Sequence, residues 1–368
     1  MLTYILRRLA LIVPTIFGIL LVSFVVIQFV PGGPVERMIA QLQGHGAEAT
    51  ARFAGNGADM SSNAMSGQMT GQSSNYRGSQ GLDPEFVKEL EAMYGFDKPA
   101  PERFLTMIKN YLTFDLGDSY YRDTKVVDLI LDKMPVSISL GLWSTLLIYF
   151  ISIPLGIKKA VKDGQAFDIW TSAVIFIGYA IPSFLFAILL IIVFAGDRYF
   201  DWFPLRGIVS DNWSDMPPLE KALDYMWHMT LPVLAMVISG FAGLTMLTKN
   251  SFLDEIGKQY VQTARAKGLP EKKVLYNHVF RNAMLIVIAG FPAAFMHIFF
   301  TGSLLIEVIF SLDGLGLLGY ESIINRDYPV VLGTLYIYAL IGLVITLLRD
   351  IIYVMVDPRI NFDASPNV

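Results

Sequence analysis

The residue types that most often carry chemistry are few in this sequence and form no recognisable catalytic or metal-binding set. The chain has no cysteine, which excludes disulfides, thiolate metal sites and a cysteine nucleophile. Its histidines stand far apart, without the spacing of metal ligands, at His45, His228, His278 and His297. The phosphate-binding pattern GxxxxGK[ST] does not occur. We therefore expect no cofactor, no metal and no nucleotide hydrolysis by a P-loop in this chain.

One literal dinucleotide-binding pattern, GxGxxG, occurs at residues 314–319. In a dinucleotide-binding fold this pattern follows a strand, opens a helix and precedes an acidic residue by about 20 positions. The surrounding sequence supplies none of that context. The segment is therefore predicted to be a turn or a re-entrant loop.

The elements that could position any site are apolar runs long enough to cross a membrane. The chain is 54% apolar and 16% charged, a balance typical of membrane proteins. A spanning helix needs about 20 apolar residues, and the charge-free runs of that length are residues 9–30, 134–157, 169–196, 229–248, 282–306 and 328–348. The first is longer than the apolar core of a signal peptide and lacks a small-residue cleavage site. The sequence thus predicts an all-α membrane protein with six transmembrane helices.

None of the six runs carries an acidic or basic residue away from its ends. Secondary transporters usually need such groups, because ionisable residues inside the membrane carry protons or ions. Only His297 could titrate within a run. A neutral histidine hydrogen-bonded inside the bundle is the simpler interpretation, and a proton relay in a proton-coupled secondary transporter is the alternative. Energy for transport is expected to come from outside the chain.

The distribution of lysine and arginine predicts the orientation. With the N-terminus in the cytoplasm, the inside segments carry fourteen of these residues, against four in the two short outside loops. The positive-inside rule therefore places both termini in the cytoplasm. The net charge of −4, without a basic tract interleaved with aromatic residues, argues against binding to nucleic acid.

The chain divides into three parts by composition. Residues 1–30 form the N-terminus and first span, residues 31–133 a long outside loop, and residues 134–368 a five-helix core. Within the outside loop, residues 41–81 are rich in Gly, Ser, Asn, Gln, Ala and Met and are expected to be mobile. Residues 83–133 show three amphipathic helical patterns. We expect a small helical cap on the outer mouth there, with attachment to the lipid surface as the alternative.

The inside loop at residues 249–283 is too long for a simple connection. Ser251 and Asp254 have the spacing of a helix cap, and apolar residues recur every fourth position from Phe252 to Ala264. Gly268 is the predicted stop. The pattern predicts one helix over residues 252–267, about 24 Å long, outside the bilayer.

This loop also resembles that of a known transporter family. Residues 259–269, QYVQTARAKGL, followed by RNAM at 281–284, resemble the cytoplasmic EAA loop of dipeptide and oligopeptide ABC-importer permeases. The general motif has Glu-Ala-Ala beginning six residues before the glycine, where this chain has Gln262, Thr263 and Ala264. The absence of the glutamate is a variant that peptide permeases show. The resemblance extends along nearly the whole chain, through segments 94–99, 115–119, 181–184, 307–316, 327–329 and 357–359.

The resemblance implies a permease subunit of the type I importer fold, without catalytic residues, in the inner membrane of a Gram-negative bacterium. A short coupling helix in the loop would dock into a groove on a cytoplasmic ABC ATPase. The implied loop residues are Tyr260, Val261 and Ala264 as apolar contacts, Arg265 and Lys267 as a polar rim, Gly268 as the turn, and Gln262, Thr263 and Ala266 between them. A helix resting on anionic membrane lipid is the alternative.

The family pattern further implies a second, homologous permease as heterodimer partner, since six helices of about 10 Å diameter enclose little room for a peptide. A periplasmic binding protein would deliver oligopeptides, with microcin C-type peptides among them, to the outer loops at residues 197–228 and 307–327. Polar residues that could line the pathway are Ser137, Tyr179, Ser183, Ser239, Thr245 and His297. For most of them, a buried contact between helices is the plainer interpretation. A structural or assembly membrane protein is a further alternative for the whole chain.

Overall fold

The computed structural model describes residues 2–29, 85, 88, 97–196, 199–301 and 304–356. Side chains are described for these residues except 2–4, 292, 294–301 and 353–356. Within them all regular structure is helical, apart from two isolated β-bridges, so the predicted all-α class is confirmed. The glycine- and serine-rich insert at residues 41–81 and the start of the expected cap lie outside the described residues.

The described helices are numbered here in chain order. They are α1 Leu2–Phe29, α2 Ala100–Leu112, α3 Val126–Val161, α4 Ala166–Ala180, α5 Ser183–Phe194, α6 Pro218–Ile256, α7 Gln259–Ala266, α8 Glu271–Lys273, α9 Phe280–Thr301, α10 Leu304–Ile309, α11 Leu315–Asn325 and α12 Tyr328–Val356. A short 3₁₀ helix, Trp213–Asp215, precedes α6, and a π-helical turn, Val274–Val279, joins α8 to α9.

Five helical segments among the described residues are long and apolar enough to cross a membrane. They are Ile5–Phe29, Val126–Val161, Pro218–Ile256, Glu271–Phe291 and Tyr328–Ile352. The pair formed by α4 and α5 makes a sixth span if the two helices are counted together. The multi-pass membrane architecture expected from the sequence is therefore confirmed.

The third predicted span differs from a straight helix. It breaks between α4 and α5, whose axes meet at 93°. Pro182 explains the break, because proline has no N–H to donate and favours extended backbone at the residue before it. Ile181 accordingly has an extended conformation, with φ −86° and ψ 118°. At 15 and 12 residues, α4 and α5 are about 22 and 18 Å long, each shorter than the hydrocarbon core.

Two further expectations about helix bounds are wrong. The third amphipathic helix expected before Pro135 is not separate, because α3 continues from Val126 through Pro135 to Val161. Likewise, the helix expected over residues 252–267 is two helices, α6 and α7, separated at Gly257–Lys258. Ser251 therefore lies within α6 and caps no helix; its hydroxyl donates to the Ala283 carbonyl over 2.6 Å.

The chain forms two compact units. The described residues of Met1–Ile12, Asp132–Leu318 and Leu340–Val368 make up the first, and those of Val13–Leu131 and Gly319–Ala339 the second. The core of the first unit lies between α3, α5, α6 and α10, with Leu140, Ala187 and Ala235 fully buried. In the second, Ser119 donates to Asp327 over 2.5 Å. That unit also contains a cavity of about 780 Å³ with both basic and acidic side chains in its wall.

The GxGxxG segment is neither a free turn nor a nucleotide loop. Gly314 precedes α11, and the helix before it is α10 rather than a strand. The buried Glu307 carboxylate accepts a hydrogen bond from the Leu317 N–H over 2.7 Å, at the first turn of α11. A Cβ on Gly314 would lie 2.5 Å from the Glu307 carboxyl carbon, which explains a glycine at this position. The segment therefore forms the start of α11, and the Glu307 carboxylate caps that helix.

Candidate functional site

The loop at residues 249–283 contains a short, well-bounded helix, α7, at the position of the motif. Lys258, with ψ 152°, precedes its first turn, and Gly268, with φ +76°, follows its end. The Gly268 N–H donates to the Arg265 carbonyl over 2.9 Å. A positive φ of this size strains any residue with a Cβ, so glycine ends the helix at little cost. The predicted stop at Gly268 is confirmed.

The apolar face of α7 is turned toward its own chain. Val261 is fully buried and Ala264 is 5% exposed. Both pack in one cluster with Phe252 of α6, Val274 of the π-helical turn and Ala283 of α9. Both side chains are therefore covered by their own chain here, and their contact with an ATPase stays a prediction. Their burial attaches α7 to the ends of two spans.

The opposite face of α7 is polar and open. Gln262, Thr263, Ala266 and Lys267 are exposed. Arg265 forms a two-point ion pair with Glu271, with Nε–Oε1 and Nη2–Oε2 distances of 2.9 and 3.2 Å. That pair joins α7 to α8 across the Gly268 turn. The open face of α7 is therefore polar rather than apolar.

Tyr260 has a more specific environment than the apolar contact expected of it. Its hydroxyl donates to Oε2 of Glu255 over 2.5 Å and accepts from Nδ2 of Asn282 over 3.1 Å. Burial and the adjacent Glu255 carboxylate raise the pKa of the Tyr260 hydroxyl, so it stays protonated and able to donate. The ring itself is partly exposed, at 36%.

Beside α7 the first unit has a cavity of about 310 Å³. Its wall is mostly aliphatic, and the charged residues in it are Arg265, Glu271 and Lys272. The π-helical turn supplies Val274, Leu275 and Val279 to the same wall. A π-helical turn holds one more residue than an α-helical turn and often marks a functional position.

A second cluster, which sequence patterns did not reveal, joins α3, α4 and α6. The ammonium of Lys159 is fully buried, 2.9 Å from Oδ1 of Asp168, and also donates to Thr171 and Ser172 over 2.9 and 2.7 Å. Lys249 lies 2.8 Å from Oδ2 of Asp168 and 2.8 Å from Oδ1 of Asp163. The two lysines and two aspartates balance in charge, as buried ionic groups require.

Two of the candidate pathway residues, Ser137 and Thr245, are buried. Ser137 is buried; its hydroxyl accepts from the Leu315 N–H over 2.8 Å and lies 3.3 Å from Oε1 of Glu307. Thr245 is also buried and bonds the Phe241 carbonyl over 2.7 Å. The Ser137 contacts join α3 to α10 and α11 and support the interpretation as a helix contact, whereas the Thr245 bond lies within α6.

The remaining candidates stay predictions. Tyr179 is 63% exposed on α4, one turn before the break at Pro182, and Ser183 is the first residue of α5. Ser239 is exposed on α6, with its hydroxyl bonded to the Met236 carbonyl over 3.1 Å. The side chain of His297 lies outside the described residues.

The family and its relatives can now be compared with this geometry. The family model of binding-protein-dependent transport system inner membrane components matches residues 152–362, which include the end of α3 and all of α4 to α12. Two relatives carry the name YejB. A peptidoglycan transport system permease protein of Agrobacterium fabrum is 63% identical over 360 residues, covering 98% of both chains. An inner membrane ABC transporter permease protein of Escherichia coli O157:H7 is 59% identical over 360 residues, covering 98% of this chain and 99% of the relative.

More distant relatives extend the comparison. The oligopeptide transport system permease protein AppB of Bacillus subtilis is 32% identical over 363 residues, covering 98% of this chain and 100% of the relative. The family resemblance seen in the coupling-loop sequence is confirmed by these full-length matches. The chain belongs to the family of binding-protein-dependent transport system inner membrane components.

Proposed function

We propose that this chain is a membrane-spanning permease subunit of an ATP-driven importer that moves oligopeptides into the cytoplasm. The observation that carries the proposal is full-length identity of 63% and 59% to two permeases named YejB. The short helix α7, which follows the long helix α6, supports it, because a short helix outside the membrane is suited to receive force from a soluble partner. The chain itself would carry out no catalysis.

The proposed partners follow from the absence of a P-loop in the sequence and from the family name, which describes a binding-protein-dependent transport system. No P-loop occurs in the sequence, so ATP would be hydrolysed by a separate cytoplasmic ATPase. A second, homologous permease would complete the pathway, and a periplasmic binding protein would deliver the peptide. The distribution of lysine and arginine supports an orientation with both termini and α7 in the cytoplasm.

The proposed contact surface for the ATPase is the open face of α7, formed by Gln262, Thr263, Ala266 and Lys267. Among the described residues, Lys267 takes part in no ion pair, so its charge is available to a partner. The Arg265–Glu271 pair would hold the edge of this surface in shape. Polar contacts of this kind select a partner and its orientation more than they add affinity.

The names of the relatives suggest two classes of cargo. AppB is named for oligopeptides, whereas the Agrobacterium YejB is named for peptidoglycan. Peptide chains released from peptidoglycan belong to both descriptions. We therefore propose short peptides as the cargo and peptidoglycan-derived peptides as a specific class within them, with microcin C-type peptides as a further candidate.

The test is uptake into proteoliposomes that contain the chain, its partner permease and the ATPase, with the binding protein outside and ATP inside. Labelled oligopeptides and peptidoglycan-derived peptides are offered separately. The expected result is uptake that stops when the ATPase cannot hydrolyse ATP and continues when the proton gradient is dissipated. Uptake that follows the proton gradient and ignores ATP would contradict the proposal and favour the proton-coupled alternative.

A further inference from the structure

The hydroxyl of Tyr260 joins three segments of the first unit, which are α7, the end of α6 and the start of α9. It donates to Glu255 in the last turn of α6, and it accepts from Asn282 in the first turn of α9. A tyrosine hydroxyl has one proton to donate, and here that proton is given to a carboxylate at 2.5 Å. The result is a charge-assisted hydrogen bond, which is stronger than a neutral one.

The carboxylate of Glu255 is held in place independently. It is 9% exposed and also pairs with the ammonium of Lys258, the residue that precedes α7. Glu255 therefore contacts both the start of α7 and a side chain on its first turn. Burial without these partners would leave a charge unpaired at the membrane surface, which is costly.

These contacts differ in kind from the apolar packing of Val261 and Ala264. Apolar contacts hold two surfaces together but allow them to slide, because the hydrophobic effect has no direction. Hydrogen bonds between a phenol, a carboxylate and an amide fix distance and angle. The hydroxyl thus determines how α7 is oriented relative to the ends of α6 and α9.

We infer that Glu255, Tyr260 and Asn282 form a polar latch through which movement of α7 reaches α6 and α9 together. This inference rests on the proposed function, since it assumes that a partner moves α7. Glu255 is then a positioning residue: it contacts neither ATP nor peptide and acts through the Tyr260 hydroxyl. Sequence reasoning assigned no role to Glu255 or Asn282.

The experiment removes, in separate variants, the donor and the acceptor of the hydrogen bond between Tyr260 and Glu255. Tyr260→Phe removes the hydroxyl and keeps the ring, and Glu255→Ala removes the acceptor. Tyr276→Phe is the matched control, because this tyrosine lies in the same loop, is 52% exposed and has its ring 6.0 Å from that of Phe280 in a tilted arrangement. Each variant is assembled with the partner chains, and two quantities are measured: ATPase retained on copurification, and peptide imported per ATP hydrolysed.

The expected result is a fall of about tenfold in peptide imported per ATP for both latch variants, the size that loss of a hydrogen bond to a charged group produces. The double variant should fall by less than the product of the two single falls, because both substitutions remove the Tyr260–Glu255 bond. Glu255→Gln keeps an oxygen acceptor and should restore part of the coupling. Tyr276→Phe should match the wild type.

Other outcomes overturn the inference in distinguishable ways. If Tyr260→Phe and Glu255→Gln both import the wild-type amount of peptide per ATP, the latch does not transmit movement. If the ATPase is lost from Glu255→Ala, Glu255 is a docking residue and not a positioning one. If wild-type complexes show no ATP-dependent uptake, the proposed function fails before the latch is tested. Should Glu255→Ala not fold, Tyr260→Phe and Glu255→Gln still decide the question.

Discussion

Lys159 and Asp168 form an ion pair that is closed to solvent, with 2.9 Å between Nζ and Oδ1 and a fully buried ammonium. The same carboxylate binds Lys249 through its second oxygen. One aspartate therefore forms ion pairs with a lysine of α3 and a lysine of α6. Loss of its charge would leave two cations facing each other in a site with little water.

Asp168→Asn should lower the free energy of unfolding by about 3–5 kcal/mol, the range measured when one partner of a buried ion pair is removed. Asp163→Asn is the control, because the Asp163 side chain is 52% exposed and exposed pairs contribute about 0–1 kcal/mol. Denaturant unfolding of the two purified variants in detergent measures both changes in the free energy of unfolding. Equal stability of the two variants would contradict the assignment.

Gly156→Ala should destabilise the contact between α3 and α6. A Cβ at Gly156 would lie 2.6 Å from the Thr248 Cβ and 2.8 Å from the Thr245 carbonyl oxygen, so the helices would have to separate. Overpacking of this kind costs about 1–3 kcal/mol. Gly243→Ala, on α6 with nothing within 4 Å of its added Cβ, should instead be neutral or slightly stabilising. Thermal unfolding of the two variants side by side tests the difference.

Gly268→Pro should leave the protein inserted in the membrane but uncouple transport from ATP hydrolysis. Proline fixes φ near −65°, whereas Gly268 has φ +76°, and proline also removes the N–H that bonds Arg265. Gly257→Ala is the control, because φ at Gly257 is −75° and alanine adopts that value freely. Uptake and peptide-stimulated ATPase activity are the measurements. Wild-type values for Gly268→Pro would show that the turn is not needed.

The stability of the second unit should depend on the charge of Asp327. Burial raises the pKa of this carboxyl above 3.8, although the Ser119 hydroxyl and Tyr120 N–H both donate to it. The protonated form is thus favoured in the folded protein, so its contribution to stability is complete below pH 3.8 and is lost as pH rises through the raised pKa.

Asp327→Asn mimics the protonated group and should remove that part of the pH dependence. Melting temperatures measured from about pH 3.5 upward should fall in the wild type relative to the variant across this window. Asp123→Asn is the control, because this residue is exposed and asparagine tolerates the φ of 46° at this position. It should keep the wild-type profile of melting temperature against pH. Parallel profiles for the wild type and Asp327→Asn would contradict the prediction.

Sequence patterns located the apolar cores of the long helices well, because hydrocarbon imposes a length and a composition on whatever crosses it. The run at residues 229–248, for example, lies wholly within α6. The end of α7 could be predicted equally well, because a glycine after a helical pattern indicates a left-handed turn. Both inferences depend only on local chemistry.

Contacts between residues that are far apart in the sequence could not be predicted in this way. The lysines at 159 and 249 could be counted as inside charges, but nothing in their neighbourhoods indicates that both contact Asp168. The break at Gly257–Lys258 was missed for a different reason. Phe252 and Ala264 face the same apolar cluster on either side of the break, so the four-residue spacing continues through it.

The length of α6 has a mechanical consequence. Its 39 residues form one continuous helix of about 58 Å, nearly twice the thickness of the hydrocarbon core. Near its first residues Asp224 is tied to Ser210 by hydrogen bonds of 2.5 and 2.9 Å, and near its last Glu255 is tied to Tyr260. Pro232 interrupts the ladder by leaving no N–H for the His228 carbonyl, so the rod bends more easily there than elsewhere. A load applied at either end would be carried along the straight parts of the helix and would bend it first at Pro232.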